Sequence, residues 1–209
     1  MTIDAKKFDH LAKTVFAPVY PVIATQIIET TNVREGCCLD VGCGPGDLGF
    51  SLLQQTDLAV GFVDASVDMV KRVTTTIDSR QLQHRCHALC SDVARIEVPP
   101  NSVDLIVSRG SVFFWEDLHQ SFSHLYQVLK PGGWMYIGGG FGDQQLLEQV
   151  ICAFKARGEE DTFRDRIRRN LGDTSRKRLT NALEKAGISD YSVRHSDAIG
   201  LWMVVQKPQ

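Results

Sequence analysis

The sequence predicts an α/β fold on a mostly parallel sheet. From about residue 35 onward, apolar strand-like runs alternate with helical patterns; the first run ends in a glycine-rich turn, and the next two end in aspartates. Strands separated by helices return in parallel, because a parallel connection needs a crossover.

The elements follow in order. Cys37-Cys-Leu-Asp-Val41 is a short apolar run ending in glycines, and Leu48 to Gln54 has a helical pattern, which makes one βα unit. Leu58 to Val63 reads as a second strand, Ser66 to Ile77 as a helix with Val67, Val70 and Val73 apolar, and Arg85 to Ser91 as a third strand. Val103 to Val107, a helix around Asp117 to Leu129, and Trp134 to Ile137 come next. Lys130-Pro-Gly-Gly133 sets proline and glycine where a type II turn needs them, so the helix is expected to stop there and the strand to begin after it. Thr174 to Ala186 reads as a helix stopped by Gly187. Tyr191 to His195 and Leu201 to Val205 lie so close together that they must pair as an antiparallel hairpin. Residues 1–34 and the stretch 142–173 stand outside the alternation. Both are amphipathic and are expected to be helical segments covering the ligand-binding edge of the sheet.

At 209 residues the expectation is a single domain spanning 1–209. Apolar residues make up 43%, and 23 basic against 25 acidic residues leave a formal charge of −2, which argues against disorder and against charge-driven nucleic-acid binding. No apolar run is long enough to span a membrane and the N-terminal stretch does not read as a secretory leader, so a cytoplasmic location is expected. Of the six cysteines, Cys37, Cys38, Cys86 and Cys90 fall in strand-like runs and read as core thiols. A metal site from His84, Cys86 and Cys90 is disfavoured, because a strand spreads alternate residues about 7 Å apart; no metal is expected.

The segment that carries chemistry is Leu39-Asp40-Val41-Gly42-Cys43-Gly44-Pro45-Gly46-Asp47. Glycines there let the backbone approach a ligand. Their spacing is not the dinucleotide G-x-G-x-x-G, and the Gly-Lys-Ser/Thr of a P-loop is absent. Asp40 and Asp47 would repel a pyrophosphate but favour a ligand carrying a sulfonium and an ammonium. Asp64, 22 residues past Gly42 at a strand end, suits a ribose diol. Asp92 could accept from an adenine amino group while the Val93 backbone donates to the ring.

These motifs, with Val63-Asp64-Ala65-Ser66, Val103-Asp-Leu-Ile-Val-Ser108 and Leu129-Lys-Pro-Gly-Gly133, resemble the class I S-adenosylmethionine-dependent methyltransferases in order and spacing, over about residues 35–205. The nearest likeness is to the small-molecule branch that includes quinone-biosynthesis methyltransferases. The resemblance implies a Rossmann-like seven-stranded sheet in order 3-2-1-4-5-7-6 with strand 7 antiparallel and helices on both faces. It also implies S-adenosylmethionine as cofactor, with S-adenosylhomocysteine as product. Gly42 and Gly44 would contact its methionine portion, Asp64 and Ala65 lie in the ribose motif, and Asp92 and Val93 would hold the adenine. Ser108 would bind the methionine amine through its carbonyl, Tyr20 would lie over the cofactor, and Met69 would pack on the adenine face.

Methyl transfer from a sulfonium is an in-line displacement, in which positioning and water exclusion matter more than a general base. No residue declares itself as a base, and His10, His119 and His124 read as surface or interfacial positions on helices. The loop Ser108-Arg-Gly-Ser-Val-Phe-Phe-Trp-Glu-Asp117 rims the acceptor side and lacks the Asn/Asp-Pro-Pro-Tyr/Phe of amino methyltransferases. Arg109 could orient a carboxylate or phosphate, and Phe113, Phe114, Trp115 and Phe141 could wall a planar or apolar substrate. The expected activity is methylation of a small molecule. A macromolecular acceptor recruited by the basic segment 155–178 and a non-catalytic cofactor-binding role are the alternatives.

Overall fold

The computed structural model describes residues 11–12, 14–197 and 199–209. His10 and the first part of the expected N-terminal cover lie outside the described residues. One seven-stranded sheet organises the chain, with strands β1 Cys37–Val41, β2 Ala59–Asp64, β3 Cys86–Cys90, β4 Val103–Arg109, β5 Leu129–Gly139, β6 Tyr191–Ser196 and β7 Gly200–Gln206 in the order β3-β2-β1-β4-β5-β7-β6. β1 to β5 are parallel to their neighbours, whereas β7 runs antiparallel to both β5 and β6. The hairpin and the strand order expected from the sequence are both present.

Side-chain alternation along the strands divides the interior into two layers. Cys38, Leu105, Val107, Tyr136, Trp202 and Val204 point to one face, where α1 Val19–Thr31, α2 Asp47–Gln55, α3 Val67–Ser79, α5 Gln144–Lys155 and α6 Glu160–Leu171 pack. Leu39, Val41, Ile106, Met135, Ile137, Met203 and Val205 point to the other, under α4 Leu118–Val128 and α7 Asp173–Lys185. Capping side chains set several helix starts: Ser66 Oγ accepts from Met69 N at 3.4 Å, Asp117 Oδ1 from Gln120 N at 2.9 Å, and Asp143 Oδ1 from Leu146 N at 2.8 Å. The stretch 142–173 is therefore two helices joined by a short turn.

Two expectations need correction. The Lys130–Gly133 segment does not precede β5 but lies within it: Leu129 pairs with Val103 and Trp134 with Leu105, so the extra residues are accommodated as an irregularity with Gly132 at φ 78°. Mutual bonds with β7's end hold it there, Gly132 N to Lys207 O at 2.8 Å and Lys207 N to Gly133 O at 2.9 Å. Of the four cysteines read as core, Cys38 and Cys86 are buried but Cys37 and Cys90 are exposed. Cys37 opens its strand and Cys90 ends β3, the edge of the sheet, where packing is one-sided.

Among the described residues no helix is long and apolar enough to cross a membrane. The antiparallel β5–β7 contact is so close that a methyl group at Gly138 would collide with the Leu201 carbonyl. Gly138→Ala should accordingly lower stability by about 3 kcal/mol in urea unfolding; a loss below about 0.5 kcal/mol, the range of ordinary surface substitutions, would contradict this packing.

Candidate functional site

The C-terminal ends of β1, β2 and β4 meet at the glycine loop. Gly42, Gly44 and Gly46 all adopt positive φ, at 62°, 56° and 90°, which lets the chain leave β1 in a tight coil before α2. The loop is tied to β2 by Cys43 N to Val63 O at 3.0 Å and Gly44 N to Asp64 Oδ2 at 2.8 Å. Asp64 Oδ1 accepts from Ser66 N at 2.8 Å, so each carboxylate oxygen carries one backbone bond and keeps further accepting capacity for a ligand diol.

Asp40 is only 2% exposed and accepts from Gly49 N at 2.9 Å. Burial pushes its carboxyl up to about 7 against that hydrogen bond, with the nearby charges of Asp64 and Asp47 adding to the rise. Position 49 has to be glycine, since a methyl there would run into Phe62. Three acidic groups thus surround a loop whose backbone is otherwise free to approach a ligand.

On β4, Ser108 is fully buried and its hydroxyl lies 2.6 Å from that of Ser111. Ser111 Oγ donates to Val41 O at 3.0 Å and accepts from Trp115 Nε1 at 3.1 Å. It occupies the space that a side chain at Gly42 would take. Ser111 was not singled out by sequence; the signal for it is the need for glycine at 42, which shows only once β4 lies beside β1.

Asp92 follows β3 and caps a short 3-10 turn, Val93–Arg95, through Oδ1 accepting from Ala94 N at 2.8 Å. Val93 is buried beneath it, and exposed Ala65 holds the Cys90 thiol on its carbonyl. Met69, in the first turn of α3, is buried yet belongs to neither apolar layer.

On the cover side, Tyr20 is buried on α1, and burial pushes its phenol up to about 12, with Arg109 opposing the rise. The aromatics expected to wall an acceptor do not share one cluster. Phe141 packs edge-on to Phe163 in the first layer, while Trp115 meets Phe122 of α4 and Phe113 joins the second layer; Phe114 is 62% exposed. Strand alternation explains the split, since Arg109 and Phe141 leave the sheet on the α1 side and the 3-10 turn Val112–Phe114 rolls toward α4.

The comparisons with known proteins agree with this geometry. Residues 38–133 match a methyltransferase domain family. A solved structure described as an S-adenosyl-L-methionine-dependent methyltransferase of Methanococcus maripaludis is 37% identical, with a TM-score of 0.92 over 98% of this chain and 92% of that one. The chain belongs to the S-adenosylmethionine-dependent methyltransferase family. It is also 30% identical over 165 residues to the malonyl-[acyl-carrier protein] O-methyltransferase of Priestia megaterium, covering 76% of this chain and 58% of that protein. Phosphoethanolamine N-methyltransferase 3 of Arabidopsis thaliana is 34% identical over 115 residues, 52% of this chain and 22% of that protein. The chain thus spans less than two thirds of the length of these curated relatives.

S-adenosylmethionine fits what this methyltransferase presents. Its sulfonium and ammonium are cations, of the sign that an acidic loop would attract, and its ribose diol would suit the lone pairs left on Asp64. The raised Asp40 sets a pH dependence for the ligand-free protein. Its folded pKa lies above the unfolded one, so its stabilising contribution is complete below about pH 4 and is lost as pH rises through about 7. Asp40→Asn should remove that loss, leaving wild type less stable relative to the variant at pH 8 than at pH 5 by on the order of 3 kcal/mol. Urea unfolding across that range checks it, and parallel pH profiles would refute it.

Proposed function

We propose that this methyltransferase domain transfers the methyl group of S-adenosylmethionine to a small-molecule acceptor. The observation that carries the reading is the Asp64 carboxylate, held by Gly44 N and Ser66 N at 2.8 Å each while keeping capacity for two ligand hydroxyls. In the proposed pose Asp64 and Ala65 flank the ribose, Asp92 and the Val93 amide face the adenine, and Met69 packs against its ring. Gly42, Gly44 and the Ser108 carbonyl receive the methionine portion, with Tyr20 over it.

When bound, the sulfonium supplies an electrophilic methyl: an acceptor lone pair forms the new bond to carbon, and the carbon–sulfur pair leaves on sulfur to give S-adenosylhomocysteine. The chain's own contribution is to hold the two reactants in line and to keep water out. Helices α1, α5 and α6 supply the cover, and the buried, stacked rings of Phe154 and Phe163, with centroids 4.0 Å apart, join α5 to α6.

A small acceptor is favoured over a polyanion by the state of the basic segment. Arg164 pairs with Glu160 at 2.9 Å, Arg176 with Asp173 at 3.1 Å, and Arg168 with Asp165. Such i,i+3 and i,i+4 pairs are those of a solvated helical face, in which five acidic residues offset part of the charge of nine basic ones.

Calorimetric titration should show binding of S-adenosylmethionine and S-adenosylhomocysteine but not NAD, and Asp64→Ala should weaken the first two by about 1.5–3 kcal/mol. Unchanged affinity in a folded variant would defeat the ribose assignment. Production of S-adenosylhomocysteine in the presence of acceptor candidates, followed by mass spectrometry, separates an enzyme from a cofactor-binding protein.

A further inference from the structure

We infer that Arg109 selects the acceptor and that the acceptor binds through an oxyanion, a carboxylate or phosphate group; this rests on the methyl-transfer reading above. Arg109 is the last residue of β4 and pairs in register with Gly138 of β5. β1 and β4 pair Asp40 with Val107, so Arg109 stands two residues further along, level with Gly42. The acidic groups that suit the donor come from the ends of β1 and β2 and from the start of α2, and Asp92 follows β3. A donor lying over those ends leaves the β4–β5 side for the acceptor, and that is where the guanidinium lies.

Its surroundings belong to the cover. The guanidinium carbon sits 5.0 Å from the ring centroids of both Phe16 and Tyr20 and 6.0 Å from that of Phe141. Its Nε, at 3.1 Å, and Nη2, at 2.9 Å, both donate to the carbonyl of Gly140, and the Tyr20 hydroxyl is a further side-chain partner. Burial pulls its pKa down and outweighs the Tyr20 hydroxyl, which bonds to it, and the Asp47 carboxylate, which supports its charge through space. The carbonyl and the aromatic faces carry no net charge, so the anionic group acting on it among the described residues is Asp47, which does so through space and leaves N–H groups of the guanidinium for a further anion.

A tie between β4 and Gly140 needs only a neutral donor, and withdrawing a charge even partly from water for that purpose is costly. The positive charge gains its return when an anion joins it, because guanidinium forms paired, charge-assisted bonds to carboxylate and phosphate with its remaining N–H groups. The same charge disfavours an ammonium acceptor in this position, since like charges in a low-dielectric cleft repel strongly. The cleft thus carries acidic groups at the ends of β1 and β2 and a guanidinium at the end of β4, next to Asp47 and Tyr20.

The test uses the whole chain saturated with S-adenosylhomocysteine, titrated with benzoate, phenyl phosphate, benzamide and benzylamine. Benzoate or phenyl phosphate should bind about tenfold or more tighter than benzamide, with benzylamine weakest; the tighter of the two oxyanions names the group. Arg109→Gln should erase the oxyanion preference and Arg109→Lys should keep part of it, with circular dichroism confirming that both variants fold. Equal binding of benzamide, binding of none of the probes, or an oxyanion preference that survives Arg109→Gln overturns the inference. So does a loss of S-adenosylhomocysteine affinity in Arg109→Gln with 5′-methylthioadenosine binding intact, which would assign the guanidinium to the donor's own carboxylate. If the unchanged protein fails to bind S-adenosylhomocysteine, the methyl-transfer reading fails instead. The same probes titrated against the ligand-free chain then decide Arg109, an oxyanion preference supporting it and its absence refuting it.

Discussion

The hydrogen bond from Gly44 N to Asp64 Oδ2, at 2.8 Å, is the interaction on which the rest of the site depends. It joins a loop leaving β1 to the acidic end of β2, and it can form only because Gly42, Gly44 and Gly46 take backbone angles that side chains disfavour. The third wall depends on the same absence of side chains. Ser111 fills the space above Gly42 and bonds to Val41 O and Ser108, so the end of β4 closes against the loop. Segments far apart in the chain become one surface through backbone geometry.

That surface gathers acidic side chains. Asp40, Asp47 and Asp64 stand close enough to raise the pKa of Asp40, whose burial already opposes ionisation. A protein retains such a grouping where a ligand of opposite charge compensates it, as perturbed carboxylates at functional sites generally do. Stability lost in this way would be recovered on binding a cation such as the proposed donor. At the cover, the half-buried Arg109 is held by aromatic faces, the Gly140 carbonyl and the Tyr20 hydroxyl, with Asp47 nearby. The hydrophobic layers on both sides of the sheet supply the rigidity that keeps these opposed charges in place.

Much of this was legible along the chain because it is local or periodic. The alternation of strands and helices, the hairpin forced by a short connection, and the glycine turn followed by acidic strand ends each need only a few neighbouring residues to declare themselves. What misled was composition read without position. Lys130-Pro-Gly-Gly133 has the residues of a turn, yet bonds to Lys207 from the end of β7 keep it within β5. Cys37 and Cys90 have the apolar neighbours of core residues, yet one opens a strand and the other ends the edge strand, so both meet solvent.

The sequence by itself determined the fold class, the strand order through its family resemblance, and the residues that converge at the strand ends, because hydrophobic period, turn chemistry and motif spacing are carried by adjacent positions. Only the tertiary structure decided which side chains share a face. Phe113 and Trp115 fall on the α4 side and Phe141 on the α1 side, and Ser111 docks over Gly42. Those outcomes follow from the pleat of β4 and β5 and from where the loops beyond them turn. Which charges face one another was decided in the same way: Arg109 lies near Asp47 and Tyr20 through the pairing of β1 with β4 and the folding of α1 over both, contacts between residues too distant in sequence for any local pattern to record.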